Sequence, residues 1–149
     1  MRIIAGSFKG KKIFEPKNKI TRPLKDLTKE SIFNIINHSS KFEVNLMNSN
    51  ILDLFSGVGS FGIECLSRGA KKVIFFENYI NSLKILKKNL DLLNLNRQSN
   101  IIEKDAYNIT QSQNDLIKFD LIFLDPPFKD NKLNQLIDKI KRIKITSKN

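Results

Sequence analysis

"NILDLFSGVGSFGIECLSRGAKKVIFFE", residues 50–77, decides the fold. An apolar run, 50–55, enters a turn built on Gly57, Gly59 and Gly62. A helix-compatible stretch follows and closes at Gly69, where a left-handed C-terminal residue costs least. A second apolar run then ends at Glu77. Strand, turn, helix and strand in this order form a βαβ unit, whose strands are parallel and whose crossover is right-handed.

The same alternation continues downstream. "YINSLKILKKNLDLLN", 79–94, predicts a helix with Ile80, Leu83, Leu86, Leu90 and Leu93 on one stripe and Lys84, Lys87 and Lys88 off it. "NIIEKDA", 100–106, and "FDLIFLD", 119–125, predict the third and fourth strands. The weakly patterned stretch 107–118 has room for one short helix. "NKLNQLIDKIKRI", 131–143, predicts a helix with Leu133, Leu136, Ile137 and Ile140 inward. Upstream, "RIIAGSFKGKKIFE" reads as a small hairpin with its turn near "SFKG", and "PKNKITRP" as a loop. "DLTKESIFNIINHSS", 26–40, reads as a helix capped by Asp26 or Thr28, with Ile32, Ile35 and Ile36 on one face beside Phe33. "KFEVNLMNSN" is a polar connector. The expected architecture is α/β: a Rossmann-like parallel sheet with helices on both faces and a small N-terminal hairpin.

Composition narrows the function. The 149 residues suit one core, and no run of about 18 apolar residues could cross a bilayer. The opening "MRIIAGSFKGKK" lacks a signal-peptide apolar region, so the expected compartment is the cytoplasm. One cysteine, Cys65, and one histidine, His38, leave nothing for an internal disulfide or a multi-Cys metal site, and no metal is expected. Neither residue is assigned a catalytic role. The net charge of +11 is uneven. Residues 1–30 carry nine Lys/Arg against three Asp/Glu, and residues 129–149 carry seven against two. Residues 31–128 carry ten of each. A neutral middle between basic ends is the pattern expected of a nucleic-acid partner. With 21 Lys against 5 Arg, biased codon usage is the competing explanation. The chain divides by this reading into a basic hairpin and arm, 1–30, and one globular unit, 31–149.

Ligands of such sheets bind beyond the carboxyl ends of the strands. That rule gathers residues 53–62, 77–78, 105–106 and 125–128 into one crevice. Gly57, Gly59 and Gly62 satisfy G-x-G-x-x-G, which fits a nicotinamide or an adenosylmethionine enzyme. Asp53 at the tip of the first strand favours the second, because an anion there repels a pyrophosphate and suits an ammonium and a sulfonium. Glu77 is assigned to the ribose hydroxyls and Asp105 to the adenine amino group. Asp125 begins "DPPF". Pro126 and Pro127 stiffen the turn and donate no hydrogen bonds. Asp125 and the Pro126 carbonyl can both accept from one NH₂, and Phe128 can stack on a base. Two such acceptors orient a weakly nucleophilic exocyclic amine and stabilise the charge that develops on it. The base has to leave its stack to reach this turn.

These residues carry a resemblance. "MRIIAGSFKGKKI", "RPLKDLTKESIFNII", "LDLFSGVGSFGIECLSRGAKKVIFFE" and "FLDPPF" together resemble the bacterial 16S rRNA guanine-N2 methyltransferase family over nearly the whole chain. The resemblance implies a class I domain that uses S-adenosylmethionine to methylate the N2 amine of a 16S rRNA guanine, the guanine-966-type activity, within an assembling small ribosomal subunit. It implies that Asp125, Pro126, Pro127 and Phe128 are catalytic. Asp53, Phe55, Ser56, Gly57, Gly59, Gly62, Glu77, Asn78, Asp105, Ala106 and Asp125 are then the cofactor residues. Arg2, Lys9, Lys11, Lys12, Arg22 and Lys29 are expected to meet RNA. Leu24, Leu27 and Lys29 depart from the Thr, Arg and Arg of the family pattern, and Lys29 keeps the charge without the guanidinium fork. The alternatives are a DNA or protein amino-methyltransferase, an inactive RNA-binding remnant and a nicotinamide dehydrogenase.

A class I sheet has seven strands, of which four are evident. "RIKITSKN", 142–149, is a candidate fifth. The sequence therefore predicts a chain shortened at its C-terminus, with the last strands missing and the fourth strand near an open edge. A monomer of reduced stability is expected, with pairing through that edge as its alternative.

Overall fold

The computed structural model describes residues 1–16, 25–39, 44–110, 117–127 and 131–147. Four strands, β1 (Asn50–Leu54), β2 (Lys72–Phe76), β3 (Ser99–Ile102) and β4 (Leu121–Leu124), lie parallel in the order β3-β2-β1-β4. Leu54 is level with Phe76 on one side and Leu124 on the other, and Phe76 is level with Ile102. The four strands thus end together. The chain runs outward from β1 through β2 to β3 and then returns to the far side of β1, so the switch point lies between β1 and β4.

Alternation along the strands makes two cores. Ile51, Val73 and Phe75 face a layer formed by α1 (Asp26–His38), α2 (Ser60–Ser67) and α3 (Ile80–Leu92). Leu52, Leu54, Ile74 and Phe76 face α4 (Leu133–Ile143), which buries Leu136 and Ile140 against them. On the first face Phe61 of α2 stacks between two rings. Phe33 of α1 lies 5.1 Å from it and Phe123 of β4 lies 3.8 Å from it, centroid to centroid. Layer, helix and strand are thereby locked in one column.

Every residue of α2 is buried, although a helix on a sheet normally keeps one side in water. The N-terminal hairpin covers that side. Residues 1–13 fold back on themselves through an antiparallel bridge between Arg2 and Lys12, with Ile3 N–H donating to the Lys11 carbonyl at 3.0 Å. Ile3 and Ile13 then enter the same core as Phe33 and Ile63. The hairpin expected as a basic arm is thus fastened to the globular unit. Its hydrogen bonds converge on α2. Ile4 and Ala5 N–H both donate to the Glu64 carboxylate at 2.9 Å, and Phe8 N–H donates to Ser67 Oγ at 3.0 Å.

The same carboxylate corrects the expectation for Lys29. This lysine is fully buried, with Nζ 3.3 Å from Glu64 and donating to the Arg2 carbonyl at 2.7 Å. It cannot reach RNA, because its charge completes a buried cluster with Glu64 and Arg68. The inward stripe of α1 is accordingly Lys29, Phe33 and Ile36, and Ile35 is exposed. Neither Asp26 nor Thr28 caps this helix; Lys25 precedes it without a side-chain cap, and Asp26 in its first turn meets Arg2. On α3 the predicted stripe is buried from Leu83 to Leu93, but Ile80 in the first turn is exposed.

At the open side of β4, Phe119 forms a parallel bridge with Thr146. Phe119 N–H donates to the Ile145 carbonyl and Ser147 N–H to the Phe119 carbonyl, both at 2.8 Å. Residues 145–147 therefore enter the position of a fifth strand, where the sequence placed one. Among the described residues no strand continues this pairing, and all four residues of β4 are partly exposed.

Breaking a buried ion pair by removing one partner costs about 3 kcal/mol or more. Lys29→Met is expected to lower the urea midpoint by an amount corresponding to about 3 kcal/mol, with the slope unchanged. Lys9→Met on the exposed hairpin surface is expected to stay within about 0.5 kcal/mol of the unaltered chain. Equal midpoints for the two variants would overturn the structural role of Lys29.

Candidate active site

The glycine-rich turn packs too closely for any side chain at two positions. A Cβ on Gly62 would fall 2.3 Å from the Phe75 ring, so glycine lets α2 lie directly on β2. Gly59 has φ +84°, and a Cβ there would meet Leu86 Cδ1 at 2.4 Å. These contacts set the start of α2 just above the end of β1.

Asp53 lies one residue inside the end of β1, level with Phe75 and Phe123 and facing α2. It is buried, and Oδ2 accepts from Gly62 N–H at 3.0 Å. One hydrogen bond does not replace lost water. Burial raises its pKa from 3.8 to about 8; the Gly62 N–H opposes the rise, and the charges of Asp125 and Glu77 add to it. The register of the three strands sets these carboxylates together at the carboxyl ends of β1, β2 and β4.

Glu77 follows β2 and folds over the glycine turn. Oε2 accepts from Gly57 N–H at 2.7 Å, and Oε1 accepts from Asn78 and Tyr79 N–H at 2.9 and 2.8 Å. Ser56 is tied to the same strand end, its N–H and Oγ both donating to the Phe76 carbonyl. Asp105 follows β3 and caps a single 3₁₀ turn over 106–108 by accepting from Tyr107 N–H at 3.0 Å. Ala106 is buried beneath it. Asp125 continues β4, with its N–H reaching the Leu54 carbonyl at 3.5 Å. The residue is exposed, yet the crevice wall desolvates its carboxyl and raises its pKa above the usual carboxylate range. Pro126 and Pro127 follow it beyond the end of β4. Phe128 and Arg22 lie outside the described residues.

Phe55 sits between Asp53 and the glycines with φ +61°, a strained conformation for an aromatic residue. Its ring lies 5.4 Å from that of Tyr107, over which Lys132 Nζ sits at 5.9 Å. Tyr107 escaped the sequence reading because its stretch has no clear period; its place two residues after Asp105 was the available signal. Arg2, Lys9, Lys11 and Lys12 are exposed on the hairpin.

A parallel sheet ordered 3-2-1-4, a glycine turn after its first strand and an Asp-Pro-Pro turn after its fourth define the class I methyltransferase fold. The chain belongs to the family described as Conserved hypothetical protein 95, whose pattern it matches over residues 1–149. It is 38% identical to a Bacillus subtilis protein named as an rRNA methyltransferase, covering 94% of this chain and 73% of that one. It is 37% identical to ribosomal RNA small subunit methyltransferase D of Haemophilus influenzae, covering 92% of this chain and 68% of that one. A solved structure from the same organism, named as a methylase, superimposes with a TM-score of 0.70 at 36% identity, covering 95% of this chain and 73% of the other.

The raised pKa of Asp53 has a defined sign. Between about pH 4 and pH 8 the folded chain holds a proton that the unfolded chain has released, so stability falls as pH rises through that window. Asp53→Asn is expected to flatten this decline, read from urea midpoints across the window. A slope unchanged by the substitution would overturn the assignment.

Proposed function

We propose that this chain is an S-adenosylmethionine-dependent rRNA methyltransferase acting on the N2 exocyclic amine of a guanine in 16S rRNA. The observation that carries this reading is the strand register, which sets Asp53, Glu77 and Asp125 at adjoining strand ends where the Asp-Pro-Pro turn leaves the sheet. Glu77 and Asp125 around a glycine turn repel a pyrophosphate, and Asp53, protonated in the folded chain at neutral pH, releases its proton when an ammonium or a sulfonium sits beside it. The names of the relatives support an RNA substrate of the small ribosomal subunit.

S-adenosylmethionine, when bound, supplies an electrophilic methyl group. Asp53 and the turn from Phe55 to Gly59 would hold its methionine end, Glu77 with Asn78 its ribose, and Asp105 with Ala106 its adenine. The carboxylate of Glu77 has about four acceptor sites, and Gly57, Asn78 and Tyr79 use three. One site is thus open to a first ribose hydroxyl, and a second has to share with or displace one of these backbone donors. Asp125 accepts a hydrogen bond from the guanine amine, fixes its orientation and balances the positive charge that develops on nitrogen. The desolvation that raises its pKa also makes it a stronger acceptor. The Pro126 carbonyl takes the second N–H. The exposed Arg2, Lys9, Lys11 and Lys12 meet the phosphate backbone. The working protein is a cytoplasmic monomer that acts on an assembling small subunit.

Asp125→Ala is expected to reduce methyl transfer to small-subunit RNA by about two orders of magnitude, corresponding to about 3 kcal/mol. Calorimetric affinity for adenosylhomocysteine should change little. Near-normal turnover would sink the assignment of Asp125, and binding of NAD in preference to adenosylhomocysteine would sink the cofactor reading. Mass mapping of the methylated RNA identifies the base. Neutralising Lys9, Lys11 and Lys12 together is expected to weaken RNA binding and lower its salt slope by about 2–3. An unchanged slope would favour codon bias as the origin of these lysines.

A further inference from the structure

Asn89 is polar, lies in the middle of α3 and is fully buried, yet it takes no part in the chemistry above. Its amide spans two segments that are distant in sequence. Oδ1 accepts from Phe14 N–H at 2.7 Å. Nδ2 donates to the Phe14 carbonyl at 3.2 Å and to the Val58 carbonyl at 3.1 Å. The Phe14 N–H is a donor, so only the oxygen can face it, and the amide has one orientation. Both of its N–H groups are then used.

The two segments matter for different reasons. Val58 stands between Gly57 and Gly59, in the turn proposed to hold the cofactor. Phe14 is where the chain leaves the hairpin that carries Lys9, Lys11 and Lys12. Phe14 is 52% exposed, and the last side chain of the hairpin packed in the core is Ile13 beside it. At Phe14 itself, two backbone hydrogen bonds to Asn89 tie the chain to α3.

We infer that Asn89 is a positioning residue that couples the cofactor turn to the exit of the RNA-binding hairpin, so that occupancy of one site stiffens the other. The inference rests on the cofactor reading proposed above. A ligand that restrains Val58 restrains the Asn89 amide, and the same amide holds both backbone groups of Phe14. Opening at Phe14 then occurs less often when the turn is filled. By linkage, RNA that fixes the hairpin raises cofactor affinity by the same factor that cofactor raises RNA affinity.

Amide hydrogen exchange on the unaltered chain, with and without adenosylhomocysteine, tests this directly. Protection is expected at 56–62 and 77–79, and also at 12–16, where exchange should slow by about fivefold or more. In Asn89→Ala the protection at 56–62 should persist, while that at 12–16 is lost. Protection confined to the crevice of the unaltered chain would overturn the coupling and leave the cofactor reading standing. Absence of protection at the crevice itself would reject the cofactor reading, and the coupling with it. Because the first comparison needs no substitution, it holds even if Asn89→Ala fails to fold.

Discussion

The architecture depends on one buried carboxylate. Glu64 sits inside a helix with no side toward water and receives hydrogen bonds or ion pairs from the hairpin, α1 and α2 itself. An isolated charge at such a place would be prohibitive, so the surroundings have to supply its solvation. Two backbone N–H groups, an ammonium and a guanidinium do so. Arg68 adds a second contact by lying 4.2 Å over the Phe33 ring. Each group that solvates the carboxylate belongs to an element that must therefore be in place. α2 is positioned by this cluster at its middle and by Gly62 against Phe75 near its start. The turn preceding α2 inherits that precision, and Asp53 and Glu77 are aimed at the turn.

Much of the fold was legible because the sheet announces itself. Runs such as "KKVIFFE" and "FDLIFLD" have the length of strands, and glycine turns or helical stripes separate them. The buried stripe of α3 followed from spacing alone apart from Ile80 at its exposed first turn, and of the stripe expected on α4 Leu136 and Ile140 are buried while Leu133 and Ile137 are partly exposed. The first helix was less legible for a definite reason. Lys29, Phe33 and Ile36 have helical spacing, but a lysine on an apolar stripe reads as a surface cation unless its partner is known. That partner, Glu64, lies far along the chain in an otherwise apolar helix. The two anomalies explain one another, and a pairwise reading of misplaced charges could have found them.

At the crevice, strand-end position was the informative variable. Asp53, Glu77, Asp105 and Asp125 all lie at or just beyond the carboxyl ends of the strands, as their places in the alternation predicted. Less visible were the partners each carboxylate takes within the chain. Glu77 closes over Gly57, Asp105 caps a turn, and Asp53 is kept within reach of protonation at neutral pH. Asn89 lay beyond sequence reasoning, since its partners Phe14 and Val58 belong to segments with no local relation to α3. Hydrogen bonds between distant backbone groups leave no periodic trace.

The hairpin's dependence on α2 has a consequence for the order of events at the ribosome. Ile4, Ala5 and Phe8 find their partners 59 or 60 residues later in the chain, at Glu64 and Ser67. Contacts of such separation form only after the intervening chain has been made, and they slow folding. At about 5–20 residues per second, the first residues wait several seconds after synthesis before their docking surface exists. During that interval Ile3 and Ile13 have no core to enter, and the lysines between them keep the segment soluble. Charge of one sign favours solubility over that interval, at a stage when neither crevice nor sheet has formed.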